Sequence, residues 1–182
     1  MQATQFSRFL IGPGTTVETG DTPKEFLARM DIRAGANCRI DISGISVLNS
    51  SLTIFMGDDC TLTMGPGQSF NEPVRLYMHE PSSITVGAQC LWGSGDIWTS
   101  DMHSVIDVET SVRTNPARSV HIGERVWLAA EFMVLGGAEI GDDSVVAARS
   151  LVTRKKFPPH SLIAGQPARV IREGIRWDVN RL

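Results

Sequence analysis

Cysteine is scarce in this 182-residue chain: Cys38, Cys60 and Cys90 are odd in number and form no CxxC, so neither a disulfide framework nor a zinc knuckle is expected. A charge bias is also missing. With a net charge of −3 there is no field to draw in nucleic acid, and none is expected as a partner. No apolar run approaches the roughly 20 residues that cross a bilayer, and no basic and apolar leader opens the chain. A cytoplasmic protein without a membrane span is expected. Helical periodicity is lacking where the pattern is strongest, which excludes a helical bundle.

What is present is a period of six. Apolar residues recur at Ile122, Leu128, Val134, Ile140, Val146 and Val152, and four places after the first five come Val126, Phe132, Ala138, Ser144 and Ser150. Gly or Ala follows at Gly123, Ala129, Gly141 and Ala147. A helix needs a period of 3.6, and a lone strand a period of two with no reason to keep phase this long. A short period held over 122–153 marks a stacked solenoid, whose repeats complete their core only against their neighbours. Three hexads of strand plus corner close an 18-residue triangular coil, with the first residue of each hexad pointing inward. Stacked coils pair in parallel about 4.8 Å apart. The fold class predicted is all-β, a parallel β-helix, and 42% apolar content supplies one domain with a core.

The hexads divide the chain. Residues 1–33 keep no phase and are assigned as an N-terminal cap, with a capping-box pattern at Thr22-Pro23-Lys24-Glu25 that predicts a short helix over 23–30. The β-helix is placed at 34–158, with Met56-Gly57 and Val86-Gly87 at multiples of six before Ile122. The three cysteines each stand three residues after a glycine, as small fillers of an inward corner. The polar stretch 101–119 leaves the apolar positions unfilled and reads as a loop thrown out of one coil, on what is often the binding face of a solenoid. Residues 159–182 form a tail, with a short closing helix expected over 168–177.

The segment from IGERVW to AGQPARVIR, with WTSDMHSVID upstream, resembles the hexapeptide-repeat acyltransferases, especially the sugar and polysaccharide O-acetyltransferases. The resemblance covers roughly 85–172. It implies a left-handed coil, against the usual right-handed crossover. It also implies a homotrimer with coenzyme A between neighbouring prisms, and acetyl-CoA as the donor, with no metal expected. The acceptor implied is a carbohydrate hydroxyl.

Acyl transfer from a thioester to an alcohol needs a base for the hydroxyl proton, a donor for the oxyanion and an acid for the thiolate. A neutral histidine serves as both base and acid. By resemblance that residue is His103. Asp101 or Asp107 could orient its imidazole, loop capping being the plainer role of each. Ala130 and Ala148 would offer backbone groups to the pantetheine arm, and Thr153 and Arg154, in the turn after SLV, would also belong to the coenzyme site. Arg169 and Arg172 would meet the adenosine phosphates as guanidinium forks. Trp127 matches a tryptophan beside the active site. Asn71, with Glu72, is placed to reach the acceptor, whereas Trp92 and Trp98 fall on the hexad phase as large inward or corner residues. Arg149 stands where the family carries glycine, to reach a coenzyme phosphate or crowd the pantetheine path.

Three other readings stand beside O-acetyl transfer. They are N-acetyl transfer to an amino-sugar or other small acceptor, a γ-type carbonic-anhydrase-like metal enzyme using His79, His103 and His121, and a non-catalytic scaffold.

Overall fold

A computed structural model describes residues 8–180. Its regular structure is nearly all strand, 43% of residues against 2% helix, and it coils through about seven turns. Three sheets of seven strands each form the prism. The first runs from Arg8–Ile11 through Met30–Ala34, Leu52–Met56, Val74–Met78, Gly95–Trp98 and Phe132–Leu135 to Leu151–Val152. The second includes Ser83–Val86, Val120–Ile122, Glu139–Ile140 and Lys156–Phe157, and the third Gln68–Phe70, Leu91–Trp92, Trp127–Leu128, Val145–Val146 and Leu162–Gly165. Every neighbouring pair is parallel except the last in the third sheet.

The hexad residues are the core. Ile122, Leu128, Val134, Ile140, Val146 and Val152 are fully buried, as are Val126, Phe132, Ala138, Ser144 and Ser150 four places on. Ile122 pairs with Ile140, Leu128 with Val146 and Val134 with Val152, each 18 residues apart. The corners are tight: a Cβ on Gly87 would stand 2.5 Å from the backbone nitrogen of Glu124 in the next coil. Cys38, Cys60 and Cys90 are buried and unpaired by disulfide, in the corners expected of them. Trp92 points inward and stacks on Phe70 at 5.1 Å, its indole N–H donating to the buried Gln68 at 2.9 Å. Trp98 instead faces outward, against Tyr77 at 4.2 Å.

Three expectations are corrected. The ladder begins in the segment assigned as a cap, because Arg8–Ile11 pairs in parallel with Met30–Ala34. The early coils are 22 residues long, Met30 pairing with Leu52 and Leu52 with Val74. Val86 pairs with Ile122, whereas Met56 lies in a different sheet, so its multiple of six is accidental. The closing helix over 168–177 is absent: Ala168–Arg172 is a strand folded back antiparallel on Leu162–Gly165, whose edge it pairs. The N-terminal helix does form, at Lys24–Leu27, but Thr22 does not cap it; its hydroxyl accepts from the Ile45 N–H.

Candidate functional site

The excursion at 101–119 springs from the corner between the first and second sheets, after Gly95–Trp98 and before Val120–Ile122. Its neck is tied to the coil by Thr99 N–H to Tyr77 O (3.0 Å) and Arg118 N–H to Thr99 O (2.9 Å). Beyond the neck it is a hairpin, with an antiparallel bridge between Ile106 and Arg113 and Thr114 N–H donating to Val105 O at 2.8 Å. Asp107 closes the tip by accepting from the Thr110 N–H and hydroxyl and the Glu109 N–H, and these bonds hold its carboxyl below the usual range. Loop capping is therefore the role of Asp107.

His103 stands on the outgoing limb, exposed. Its N–H donates to Asp101 O (2.7 Å) and its carbonyl accepts from Asn115 Nδ2 (2.8 Å), so its backbone is fixed at both ends. Asp101 turns its Oδ2 to Asn115 Nδ2 at 2.9 Å rather than to the imidazole. Under the excursion lies a cleft of about 270 Å³. Asp101 and Asn115 line it from the loop, Thr153 and Arg154 from the next coil, and Arg118 from the neck. Beside the cleft Gly137, with φ of 86°, leaves room for two of its arginines, since a Cβ would come within 2.8 Å of Arg154 Cγ and 3.3 Å of Arg118 Cδ. Sequence reasoning missed Arg118, Asn115, Glu80 and Arg113. Asn115-Pro116 registered only as the loop's end, and Glu80 meets Arg113 only through coil stacking.

The other predicted residues lie elsewhere on the prism. Trp127 is on the outer face of the third sheet, 37% exposed, with Trp177 of the tail against it at 6.1 Å and the Trp177 indole N–H donating to Arg125 O. Ala130 and Ala148 are exposed at the corner between the third and first sheets, where Ala130 O already accepts from Arg149 N–H. Arg149 forks onto Glu131 at 2.7 and 3.2 Å, one coil away. Asn71 sits at that same corner, accepting from Asn49 at 3.2 Å. Arg169 and Arg172 are exposed on the folded-back strand, Arg169 donating to the neighbouring Ala168 O. Within one chain, the histidine corner and the corner of Ala130, Ala148 and Asn71 are different edges of the prism.

The histidines do not converge. His79 packs among Phe55, Tyr77 and Trp98, where burial lowers its pKa, and His121 is exposed on the second sheet. Among the described residues no three His, Cys, Asp or Glu side chains are grouped to hold a metal ion. Nor is any helix there long and apolar enough to cross a membrane.

No family model matches the chain. It is 29% identical over 163 residues to the polysialic acid O-acetyltransferase of Neisseria meningitidis, covering 79% of this chain and 73% of that one. It is 36% identical over 116 residues to WbbJ of Escherichia coli K12, assigned to O-acetyl transfer in lipopolysaccharide biosynthesis (58% and 59% covered). To WcaF of the same strain, assigned to acetyl transfer in colanic acid biosynthesis, it is 33% identical over 117 residues (64% and 61%). The chain thus spans about three fifths of the length of WbbJ and WcaF. Among solved structures, the polysialic acid O-acetyltransferase OatWY superposes with a TM-score of 0.62 at 23% identity, covering 96% of this chain and 93% of its own. The polysialic-acid-specific acetyltransferase NeuO gives 0.70 at 18%, covering 97% and 90%. The fold they share with this chain is the left-handed parallel β-helix.

Proposed function

We propose that this chain is a hexapeptide-repeat acyltransferase that moves the acetyl group of acetyl-CoA onto a hydroxyl of a sugar or polysaccharide precursor, with His103 as the base. The observation that carries this reading is the placement of His103: exposed, backbone-fixed, and on the only long excursion from the coils among the described residues. The names of the relatives support a carbohydrate hydroxyl as the acceptor. His103 takes the hydroxyl proton as the oxygen attacks the thioester carbonyl, and returns it to the departing thiolate. Asp101, two residues before and with no partner at Oδ1 among the described residues, is the carboxylate that turns the ring.

Acetyl-CoA lies along the corner of Ala130 and Ala148, past Trp127, with its phosphates toward Arg169 and Arg172. The acceptor approaches the cleft of Asp101, Thr153 and Arg154, with Asn71 from the facing edge. Since the two edges are apart in one chain, the working form is a homotrimer in which one copy's histidine meets another's coenzyme groove. The hairpin's exposed Val105, Ile106, Val108 and Val112 support its packing on a neighbouring copy. Acetyl-CoA as donor and three buried free thiols fit a cytoplasmic setting.

The test is release of coenzyme A thiol from acetyl-CoA across a panel of sugars. Acceptor-dependent release with acetyl ester on the sugar supports the reading, and acetyl amide or no transfer to any sugar refutes it.

A further inference from the structure

The geometry points to four side chains, Glu80, Ser100, Arg113 and Asn115, as a clasp that positions His103, an inference that rests on the reading of His103 as the base. Glu80 stands at a corner one coil before the excursion and Arg113 on its returning limb, 33 residues later. The fork between them is bidentate, at 2.5 and 2.7 Å, and each partner is less than a third exposed. That withdrawal from water makes the pair firmer than an ordinary surface ion pair. The Ser100 hydroxyl adds a short hydrogen bond to the same carboxylate.

Arg113 passes the hold to Asn115, donating through Nη2 to its carbonyl (3.0 Å) and through Nε to its Oδ1 (3.2 Å). Asn115 then grips the outgoing limb at three points. Its Nδ2 donates to His103 O (2.8 Å) and Asp101 Oδ2 (2.9 Å), and its Oδ1 accepts from the Val105 N–H (2.7 Å). One amide thus reaches both residues assigned to the chemistry.

Met102, immediately before His103, has φ of 64°. Non-glycine residues leave this left-handed region unless their surroundings hold them. Here the Met102 N–H donates to Ser100 Oγ at 3.1 Å, and that hydroxyl is itself fixed on Glu80. The excursion's other left-handed residue, Ser111, belongs to the tip turn and touches neither limb's catalytic end. The clasp therefore sets the direction in which the chain enters His103. Because misplacing a base by an ångström costs up to about a hundredfold, this local hold is felt in turnover rather than in folding.

The experiment compares Asn115→Ala with the double variant Asn115→Ala, Met102→Gly. Asn115→Ala should lower kcat about 30- to 100-fold, with acetyl-CoA affinity within about threefold and the melting temperature unchanged, since Asn115 lies outside the coil ladder. Adding Met102→Gly should return roughly tenfold, because glycine keeps the left-handed turn unaided. A merely structural role gives the opposite result, since glycine loosens a slack loop further. Full activity of Asn115→Ala, or a loss that Met102→Gly does not relieve, overturns the clasp. His103→Ala, measured alongside, separates the two ideas: an active His103→Ala removes the base, whereas an inactive one beside a fully active Asn115→Ala removes only the clasp. Should Asn115→Ala fail to fold, Glu80→Gln breaks the fork from outside the loop and is read in the same way.

Discussion

Glu131 and Arg149 face each other across one coil, both in the left-handed conformation at successive turns of the same corner, with Arg149 Nε 2.7 Å from Glu131 Oε2. The arginine that departs from the family's glycine is thus drawn along the corner to a carboxylate. Its guanidinium is held by Glu131 through two hydrogen bonds. Arg149→Ala should leave the melting temperature unchanged, because the pair is well exposed. Acetyl-CoA should still bind within about twofold by calorimetry, whereas a large change in affinity would make Arg149 part of the coenzyme site.

Gln68 is the polar pivot of the core. Fully buried, it donates to Gly65 O and Gly87 O at 2.9 and 2.8 Å and accepts from Trp92. Gln68→Leu leaves an indole N–H without a partner in the prism. The expected loss is about 1–3 kcal/mol, read as a fall of several degrees in melting temperature; an unchanged midpoint would mean the network contributes nothing net.

The C-terminal hexads were legible because each 18-residue coil spends two inward residues on the first sheet, as with Phe132 and Val134, and one on the second, as with Ile140. The early coils bury three in Met30–Ala34 and two in Arg39–Ile42. Each such strand is one in-out pair longer. Alternation survives that addition but a period of six does not, which is why 8–33 passed for a cap. At the site, the histidine loop announced itself through SDMHSVID, whereas Glu80 and Arg113 carry no local signature and meet only once the register is known. The tail misled because no hexad marks ARVIR as a strand; its partner is the segment just before it, Leu162–Gly165, on which it folds back across Gln166-Pro167.

Acidification should loosen the excursion before the coils. The Arg113 guanidinium, with the Ser100 hydroxyl, holds the Glu80 carboxyl down at about 2. A lowered folded pKa means that the contribution is fully present above the unfolded value near 4.5 and fades as pH falls from there toward 2. Hydrogen exchange at the Val105 amide, read against a coil amide such as Trp127, should accelerate across that window. In Glu80→Gln the Val105 amide should exchange fast throughout, and a wild-type profile in that variant would contradict the linkage.

Arg169→Ala with Arg172→Ala tests the phosphate end. Acetyl-CoA affinity should fall about tenfold or more at low salt, and the gap from wild type should narrow as salt screens the charges. Equal affinity at low salt would remove both arginines from the coenzyme site.

The central claim is tested most directly by the turnover of His103→Ala. Acetyl-CoA-dependent acetylation of an accepted sugar should fall by about 10²–10⁴-fold, while calorimetry still records acetyl-CoA binding within a few-fold of wild type. Transfer at the wild-type rate by that variant would contradict the account, leaving the excursion as a structural arm and placing the base on another residue.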